Sequence, residues 1–158
     1  MIIPLTQILV GEMKPQYEEV VNHNRLVVGE KNYQLIEYPE PVLDMDKWTY
    51  SESAAKALVC DFLRFRLASK RDAFFYADLD CTIDEPIDFD ESPFPYFVEY
   101  SGSADSFVMA HNGGRKWFID FWANMKYRMY VYSWQRKSLR NIDYNKIEGC
   151  FNHLSEWH

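Results

Sequence analysis

Apolar residues recur at helical spacing over one long segment of the chain. Thr49 and Glu52 form a T-x-x-E capping box, and the run from there to Lys70 is rich in alanine, leucine and phenylalanine. Basic residues gather at its C-terminal end, where the helix dipole favours cations. The pattern therefore predicts a helix that ends near Lys70 and packs its broad apolar surface against a sheet.

Shorter apolar and aromatic runs predict the strands of that sheet. The segment 25–38 is predicted to be a β-hairpin, because β-branched and aromatic residues flank a turn at 29–32. Further along the chain, short turns separate successive runs, and one of these turns contains Asn112-Gly113, a pair typical of tight hairpins. The other predicted elements are strands at 73–77, 96–101, 106–111, 116–122 and 125–134, followed by a second helix from 135 to about 153.

These elements define the predicted fold class. Strands joined by short turns are antiparallel neighbours, so the pattern predicts an α+β fold in which two main helices pack on an antiparallel sheet of about five to seven strands. The chain of 158 residues is long enough for one well-packed core, and it contains no repeat or linker. We therefore expect a single domain that covers residues 1–158.

Composition adds an expected location. Cys60, Cys81 and Cys150 are an odd number of cysteines at unrelated spacings, which is typical of reduced thiols rather than of a disulfide framework. The apolar N-terminal segment 1–10 lacks the basic residues and the cleavage site of a signal peptide. No run approaches the roughly 18–20 apolar residues of a membrane span. The sequence therefore predicts a cytoplasmic protein with no membrane partner.

The charge of the chain is strongly asymmetric. The net charge is −7, but residues 72–114 contain ten acidic residues and no Lys or Arg. Charge concentrated in this way indicates a binding partner more than it indicates a fold. The centre of the acidic region is AFFYADLDCTIDEPIDFDE, residues 73–91, and most of the candidate chemistry lies there.

One motif in this stretch resembles a known enzyme family. The run FFYADLDCTI is similar to the first motif of haloacid dehalogenase-like phosphatases, in which an apolar strand leads into D-x-D-x-T. The resemblance implies that Asp78 is a nucleophile, that Asp80 is an acid/base and that Thr82 lies beside the phosphate. Ser101 and Lys116 are candidates for the later motifs of that family. We keep a divalent-metal phosphohydrolase as the alternative function.

The aspartates also fit two other patterns in part. Asp78, Asp80, Thr82 and Asp84 alternate as calcium ligands do, but the glycine required at the sixth position of such a loop is Ile83. The same D-x-D also occurs in nucleotide-sugar transferases, but these need a nucleotide-binding domain that 158 residues hardly supply. A non-standard magnesium or calcium site is kept as a lesser alternative, since hard cations accept clustered carboxylates, but no metal and no cofactor are predicted.

The interpretation that we favour is a partner-binding surface. Aromatic anchors among steering charges are typical of protein interfaces, and the stretch combines both with several prolines. The sequence thus predicts a small inhibitor of the toxin-immunity or anti-defence type, not an enzyme, that occludes a basic protein such as a nucleic-acid-acting toxin or effector. The predicted contact residues are Asp78, Asp80, Asp84, Glu85, Asp88, Phe89, Asp90, Glu91, Phe94 and Tyr96.

Other chemistry has little support in the sequence. Cys81 lies among carboxylates, which disfavour a reactive thiolate, and His111 is interpreted as a turn-flanking residue. Cys150, His153 and His158 are interpreted as terminal residues rather than as metal ligands. The alternating aromatic and basic residues of 125–134 could stack bases, but the acidity of the whole chain argues against direct nucleic-acid binding.

Overall fold

A computed structural model describes residues 2–38, 52–128 and 134–152, and it describes the side chains of 2–38, 56–128 and 134–150. A short 3₁₀ turn (Glu30–Asn32) lies between the first helix and the second strand. The main elements in chain order are β1 (Leu5–Val10), α1 (Pro15–Val28), β2 (Tyr33–Tyr38), α2 (Glu52–Lys70), β3 (Ala73–Ala77), β4 (Cys81–Ile83), β5 (Tyr96–Tyr100), β6 (Ser103–Asn112), α3 (Arg115–Met125), α4 (Trp134–Ser138), β7 (Asn145–Lys146) and β8 (Cys150–Asn152).

The main sheet is mixed, with six strands in the order β2-β1-β3-β6-β5-β7. β1 runs parallel to both β2 and β3, and β5 runs parallel to β7, whereas β6 is antiparallel to β3 and β5. β4 and β8 form a separate antiparallel pair. The predicted α+β fold with an antiparallel sheet and two main helices is therefore wrong. Parallel neighbours need long crossovers, and α1 and α2 lie in the crossovers from β1 to β2 and from β2 to β3.

The centre of the sheet is buried on both faces. Along β3, Phe74 and Tyr76 pack in the cluster that contains α2 and α3, whereas Phe75 and Ala77 pack on the opposite face. There the ring of Phe75 lies 4.9 Å from that of Phe89, in an edge-to-face contact. A strand covered on both faces shows a continuous apolar run rather than an alternating pattern. None of the described helices is long and apolar enough to cross a membrane.

The first departure from the predicted elements is α1, whose last turn occupies residues 25–28, where the first strand of the hairpin was predicted. Pro15 stands in the first turn of this helix, where its missing N–H costs nothing. The helix buries Val20, Val21 and Asn24 and ends at Gly29, whose φ of 88° is readily adopted only by glycine. The hairpin at 25–38 is therefore wrong, and only its second half is a strand, β2.

The second departure is α3, which lies where a strand was predicted at 116–122. Phe118, Phe121 and Met125 are its buried residues, and their spacing of three and four places them on one face of a helix. Phe121 stacks on Phe65 of α2 with ring centroids 4.7 Å apart. Aromatic residues favour strands in general, but here packing against α2 decides the conformation.

The remaining predictions had mixed outcomes. The helix that ends at Lys70 and the strands at 73–77, 96–101 and 106–111 are confirmed as α2, β3, β5 and part of β6. In the last quarter of the chain, the predicted strand 125–134 overlaps the end of α3 and the start of α4, and residues 129–133 lie outside the described part. The second predicted helix is wrong after Ser138, because β7 and β8 follow α4.

His111, at the end of β6, is a buried histidine that the fold keeps neutral. It has no exposed surface, and its Nε2 lies 2.8 Å from the carbonyl oxygen of Ala68, so Nε2 carries the proton. Nδ1 is buried and has no hydrogen-bond partner among the described residues. Burial lowers the pKa of His111 below its usual value, although the bond to Ala68 opposes the change. A protonated ring would leave a buried N–H without an acceptor.

We expect the contribution of His111 to the free energy of unfolding to fall as pH drops below about 6.5, whereas the raised pKa of Asp78 acts in the opposite direction. In that range His111 becomes protonated in the unfolded chain but stays neutral in the folded protein, so proton binding stabilises the unfolded state. In His111→Gln, whose amide still donates to Ala68, urea unfolding at about pH 7.5 and about pH 5.5 should differ by roughly 1 kcal/mol less than in wild type. The matched control is His23→Gln at an exposed histidine. An unchanged pH dependence in His111→Gln would contradict the prediction.

Candidate functional site

Asp78 and Asp80 lie on one turn at the carboxyl end of β3. The N–H of Cys81 donates to the carbonyl oxygen of Asp78 at 2.9 Å, which is the hydrogen bond of a β-turn. β1 is parallel to β3 and ends at the same edge of the sheet. In open α/β sheets, ligands bind outside the carboxyl ends of the strands. We call this region the carboxyl-end site and define it by Gly11, Tyr17, Lys56, Asp78 and Asp80.

Asp78 is held in place by two neighbours. Arg64 of α2 lies with Nη1 2.5 Å from Oδ1 of Asp78, and the Tyr76 hydroxyl donates to the same oxygen at 2.7 Å. The Arg64 side chain is only 5% exposed and forms a second ion pair with Asp61. Burial raises the pKa of Asp78 to about 6, although the Arg64 charge opposes this change. One oxygen of Asp78 is thus engaged within the fold.

Asp80 is half-buried on the same turn and is less constrained. The Cys81 thiol donates to its Oδ1 at 3.3 Å, which is a weak bond. Burial raises the pKa of Cys81 well above its usual value, and the charges of Asp78 and Asp80 raise it further. This thiol is therefore protonated near neutral pH. The raised pKa and the complete burial of Cys81 agree with the prediction that this residue is a poor nucleophile.

Side chains from α1 and α2 face the turn. Burial raises the pKa of Tyr17, and the charge of Asp80 raises it further, whereas Lys56 lowers it, so the three groups are electrostatic neighbours. Cys60, one turn after Lys56 along α2, also lies near the aspartates, and burial raises the pKa of its thiol to about 12. The site thus combines carboxylates, an ammonium group and a phenol at one edge of the sheet.

Gly11 leaves room for the Lys56 side chain. Its φ is 91°, and a Cβ at this position would lie 3.1 Å from the Nζ atom of Lys56. The positive φ therefore favours glycine at this position, and the Lys56 ammonium group lies directly beside it. The N–H of Gly11 donates to the carbonyl oxygen of Tyr38 at 2.9 Å, which joins the ends of β1 and β2. The loop after β1 is thus tied to the end of β2 at the carboxyl-end site.

The structure separates the predicted partner-binding residues. Only Asp78 and Asp80 belong to the carboxyl-end site. Phe89 is 3% exposed and packs in the core, so its ring is not available to a partner, whereas Phe94 is 46% exposed. Tyr96 is half-buried and its hydroxyl donates to the carbonyl oxygen of Asp90. The exposed carboxylates of the segment are Asp84, Glu85, Asp88, Asp90 and Glu91.

The later part of the acidic segment is attached to the opposite edge of the sheet. The N–H of Ser92 donates to the carbonyl oxygen of Asn112 at 2.8 Å, and the Asn112 amide donates to the carbonyl oxygen of Phe89 at 2.9 Å. Asn112 pairs with Ala73, the first residue of β3, while Asp78 follows the last. The later part of the acidic run therefore lies at the opposite end of β3 from the D-x-D turn. Whether its exposed carboxylates bind a basic partner stays a prediction.

Four of the groups at this edge were not predicted from the sequence, namely Gly11, Tyr17, Lys56 and Arg64. The signal that identifies them is the parallel pairing of β1 with β3, since it places the loop after β1 beside the D-x-D turn. In the part of the chain with described side chains, no group of three or more His, Cys, Asp and Glu residues could hold a metal ion. His153 and His158 lie outside the described residues.

Comparisons with known proteins identify the fold. No family model and no curated protein matches the sequence. Among solved structures, the galactosyltransferase LgtC, in complex with donor and acceptor sugar analogues, has a TM-score of 0.53 and 11% identity over 89% of this chain and 67% of that chain. An active-site mutant of LgtC also has a TM-score of 0.53 and 11% identity, over 88% of this chain and 66% of that chain. The chain thus spans about two thirds of the length of LgtC.

A weaker similarity links the chain to a glycosyltransferase involved in glycosylation of the major capsid of PBCV-1, with a TM-score of 0.45 and 15% identity over 90% of this chain and 83% of that chain. The fold comparison rests on LgtC alone. The protein therefore has an α/β, Rossmann-like fold that resembles the GT-A fold of glycosyltransferases.

This similarity corrects the predicted function. An inhibitor of the toxin-immunity or anti-defence type is contradicted, and so is the prediction that the chain is not an enzyme, because the matching fold is that of glycosyltransferases. The alternative, a phosphohydrolase with Asp78, Asp80 and Thr82, is contradicted by the same finding. In addition, Thr82 is buried in β4, so the last member of the D-x-D-x-T motif is not exposed beside the two aspartates.

Proposed function

We propose that the protein is a glycosyltransferase that takes its sugar from a nucleotide-activated donor, bound with a divalent cation at the carboxyl-end site. The observation that carries the proposal is the position of the D-x-D turn, at the carboxyl end of β3, in a fold that resembles that of LgtC. LgtC is described with donor and acceptor sugar analogues. By analogy, this chain would transfer a glycosyl group from a donor to an acceptor.

The residues of the turn fit a hard divalent cation. Asp78 and Asp80 present two half-buried carboxylates on one turn. Mg²⁺ and related cations prefer oxygen ligands, and Mg²⁺ is typically held by one or two carboxylates together with the phosphates of a substrate. Two protein carboxylates and a nucleoside diphosphate would therefore complete a coordination shell with water. A bound cation would neutralise the negative charge that develops on the departing nucleoside diphosphate.

The chain's own groups have distinct tasks in this proposal. Arg64 and Tyr76 keep the Asp78 carboxylate oriented through Oδ1, so that its other oxygen can face the donor. Lys56 places an ammonium group beside Gly11, where it can contact a phosphate by charge-assisted hydrogen bonds. Tyr17 supplies an aromatic surface on the α1 side of the site, where a base or sugar ring can pack.

A binding experiment tests the proposal directly. Thermal melting is measured with adenosine, guanosine, cytidine and uridine diphosphates, each with Mn²⁺, with Mg²⁺ or with a chelator. A ligand at about 100 times its Kd stabilises the folded state by about 2.7 kcal/mol, which for a chain of this size raises Tm by roughly 5–10 °C. We expect such a rise with at least one nucleotide in the presence of the cation and its loss with the chelator.

Release of nucleoside diphosphate from the matching nucleotide sugar then tests turnover. The absence of both a cation-dependent rise in Tm and nucleotide release, over the whole panel of nucleotides, would refute the proposed function. A rise in Tm without nucleotide release would support the donor site but would not support glycosyl transfer. Other acceptors would then be tested for turnover.

A further inference from the structure

We infer that Gln7 and Asn24 are positioning residues of the proposed donor site, because their buried side-chain amides hold the backbone of the D-x-D turn in place. The inference rests on the proposed function. It concerns residues that contact neither of the two carboxylates directly but bind the main chain on both sides of Asp80.

Gln7 of β1 lies beneath the first half of the turn. Its side chain has no exposed surface, and its Nε2 donates to the carbonyl oxygen of Asp78 at 2.9 Å and approaches that of Cys81 at 3.4 Å. Its Oε1 accepts from the Tyr33 hydroxyl at 2.8 Å and from the Asn24 amide at 3.2 Å. Both ends of the Gln7 amide are therefore satisfied, and its orientation is determined by its partners.

Asn24 of α1 holds the second half of the turn. Its Nδ2 donates to the carbonyl oxygen of Cys81 at 2.9 Å, and its Oδ1 accepts from the N–H of Ile83 at 3.0 Å. Asn24 also has no exposed surface. Together the two amides bind the main chain at Asp78, Cys81 and Ile83. Asp80 thus lies within a segment that is anchored before and after it.

Packing alone does not account for amides at these two positions. Their neighbours on the facing surfaces of β1 and α1 are apolar, namely Leu5, Leu9, Val20 and Val21. Burying an amide in such surroundings is unfavourable unless it is hydrogen-bonded, and the partners that satisfy it here are mostly main-chain groups of the D-x-D turn. A polar network in which every member is bonded selects one geometry. A cation site needs such a preorganised geometry, since residues that orient metal ligands commonly change metal affinity by about 10- to 100-fold.

The test compares one variant from this network with a matched variant elsewhere. Gln7→Met keeps the size of the side chain and removes its hydrogen bonds to the turn. The control is Asn112→Leu, which removes an amide that donates to the carbonyl oxygen of Phe89 at 2.9 Å at the opposite edge of the sheet. Titration calorimetry measures Mn²⁺ affinity in the presence of the nucleoside diphosphate that binds wild type, and Tm is recorded for each protein.

We expect Gln7→Met to bind Mn²⁺ about tenfold more weakly or worse and to have a raised KM for the nucleotide sugar. Asn112→Leu should have a lower Tm than wild type but the same affinity for Mn²⁺. Tyr33→Phe removes one hydroxyl that bonds to Gln7 and leaves the ring, so it should fold even if Gln7→Met does not, and it should show a smaller loss of affinity in the same direction.

The outcomes separate the inference from the proposed function. If wild type binds the nucleotide with Mn²⁺ and the folded network variants bind it equally well, the inference is overturned and the proposed function stands. An equal loss of affinity in Asn112→Leu would also overturn it, because the effect would then be one of general stability. If wild type itself binds no nucleotide with any cation, the proposed function fails first, and the inference fails with it.

Discussion

Replacing Asp80 with asparagine is expected to abolish cation-dependent binding of the nucleoside diphosphate. Asparagine has the shape of aspartate but carries no charge, and hard cations bind carboxylate oxygens far more strongly than amide oxygens. We expect the affinity for Mn²⁺ in the presence of nucleotide to fall by about 100-fold or more, since even residues that only orient a metal ligand contribute about 10- to 100-fold. Titration calorimetry measures this directly.

The same substitution should leave the unliganded fold almost unchanged. The hydrogen bond described for the Asp80 carboxylate is the weak bond from the Cys81 thiol, so Tm without ligand should stay close to that of wild type. The matched control is Asp84→Asn, which removes an exposed charge four residues later in the same acidic segment and should not alter Mn²⁺ affinity by more than about twofold. If Asp80→Asn binds Mn²⁺ with the affinity of wild type, the D-x-D turn is not part of the donor site.

The largest loss of stability is expected for Arg64→Met. Arg64 is 5% exposed and forms ion pairs with Asp78 and Asp61, whose side chains are 29% and 23% exposed. Removing one partner of a buried ion pair typically costs about 3–5 kcal/mol, because the remaining charge is left uncompensated. Partial exposure of both carboxylates lets water screen them, so we expect a loss of about 3 kcal/mol in the free energy of unfolding, measured with urea.

Two further variants identify the origin of that loss. Arg66→Met removes an exposed arginine two residues further along α2 and should change stability by about 0.5 kcal/mol or less. In the background Asp78→Asn, Arg64→Met should cost less than it does in wild type, because one of the two stranded charges is already absent. Equal stability of Arg64→Met and Arg66→Met would contradict the ion pairs described for Arg64.

Parts of the fold could be predicted because their signals are local. The helix that ends at Lys70 and the strand at 73–77 were predicted correctly, since a long apolar periodicity and a short apolar run describe these elements without reference to the rest of the chain. The hairpin at 25–38 was wrong because Val27 and Val28 favour strands locally, whereas the anchoring contacts of α1, at Val20 and Val21, lie in a stretch that is mostly polar.

The candidate site was recognised in part and interpreted incorrectly. The sequence shows the D-x-D motif after an apolar strand, but its length of 158 residues excludes the nucleotide-binding domain of nucleotide-sugar transferases only if that domain needs most of the chain. The elements from β1 to β3 occupy only residues 5–77, so a β-α-β-α-β unit that ends at the motif fits within half of the chain. The run of acidic residues favours the interpretation of an inhibitor with one acidic surface. The sequence does not show, however, which of these carboxylates lie on the same surface of the folded chain.

Local patterns are enough to predict α2, β3 and the D-x-D motif that follows β3. The parallel pairing of β1 with β3, the burial of Phe89, and the hydrogen bonds from Gln7 and Asn24 to the main chain around Asp80 are visible only in the folded chain. The pairing of β1 with β3 and the hydrogen bond between Gln7 and Asp78 both join residues about 70 positions apart in the sequence. Such contacts depend on packing between distant segments, and no local pattern of hydrophobic and polar positions encodes them.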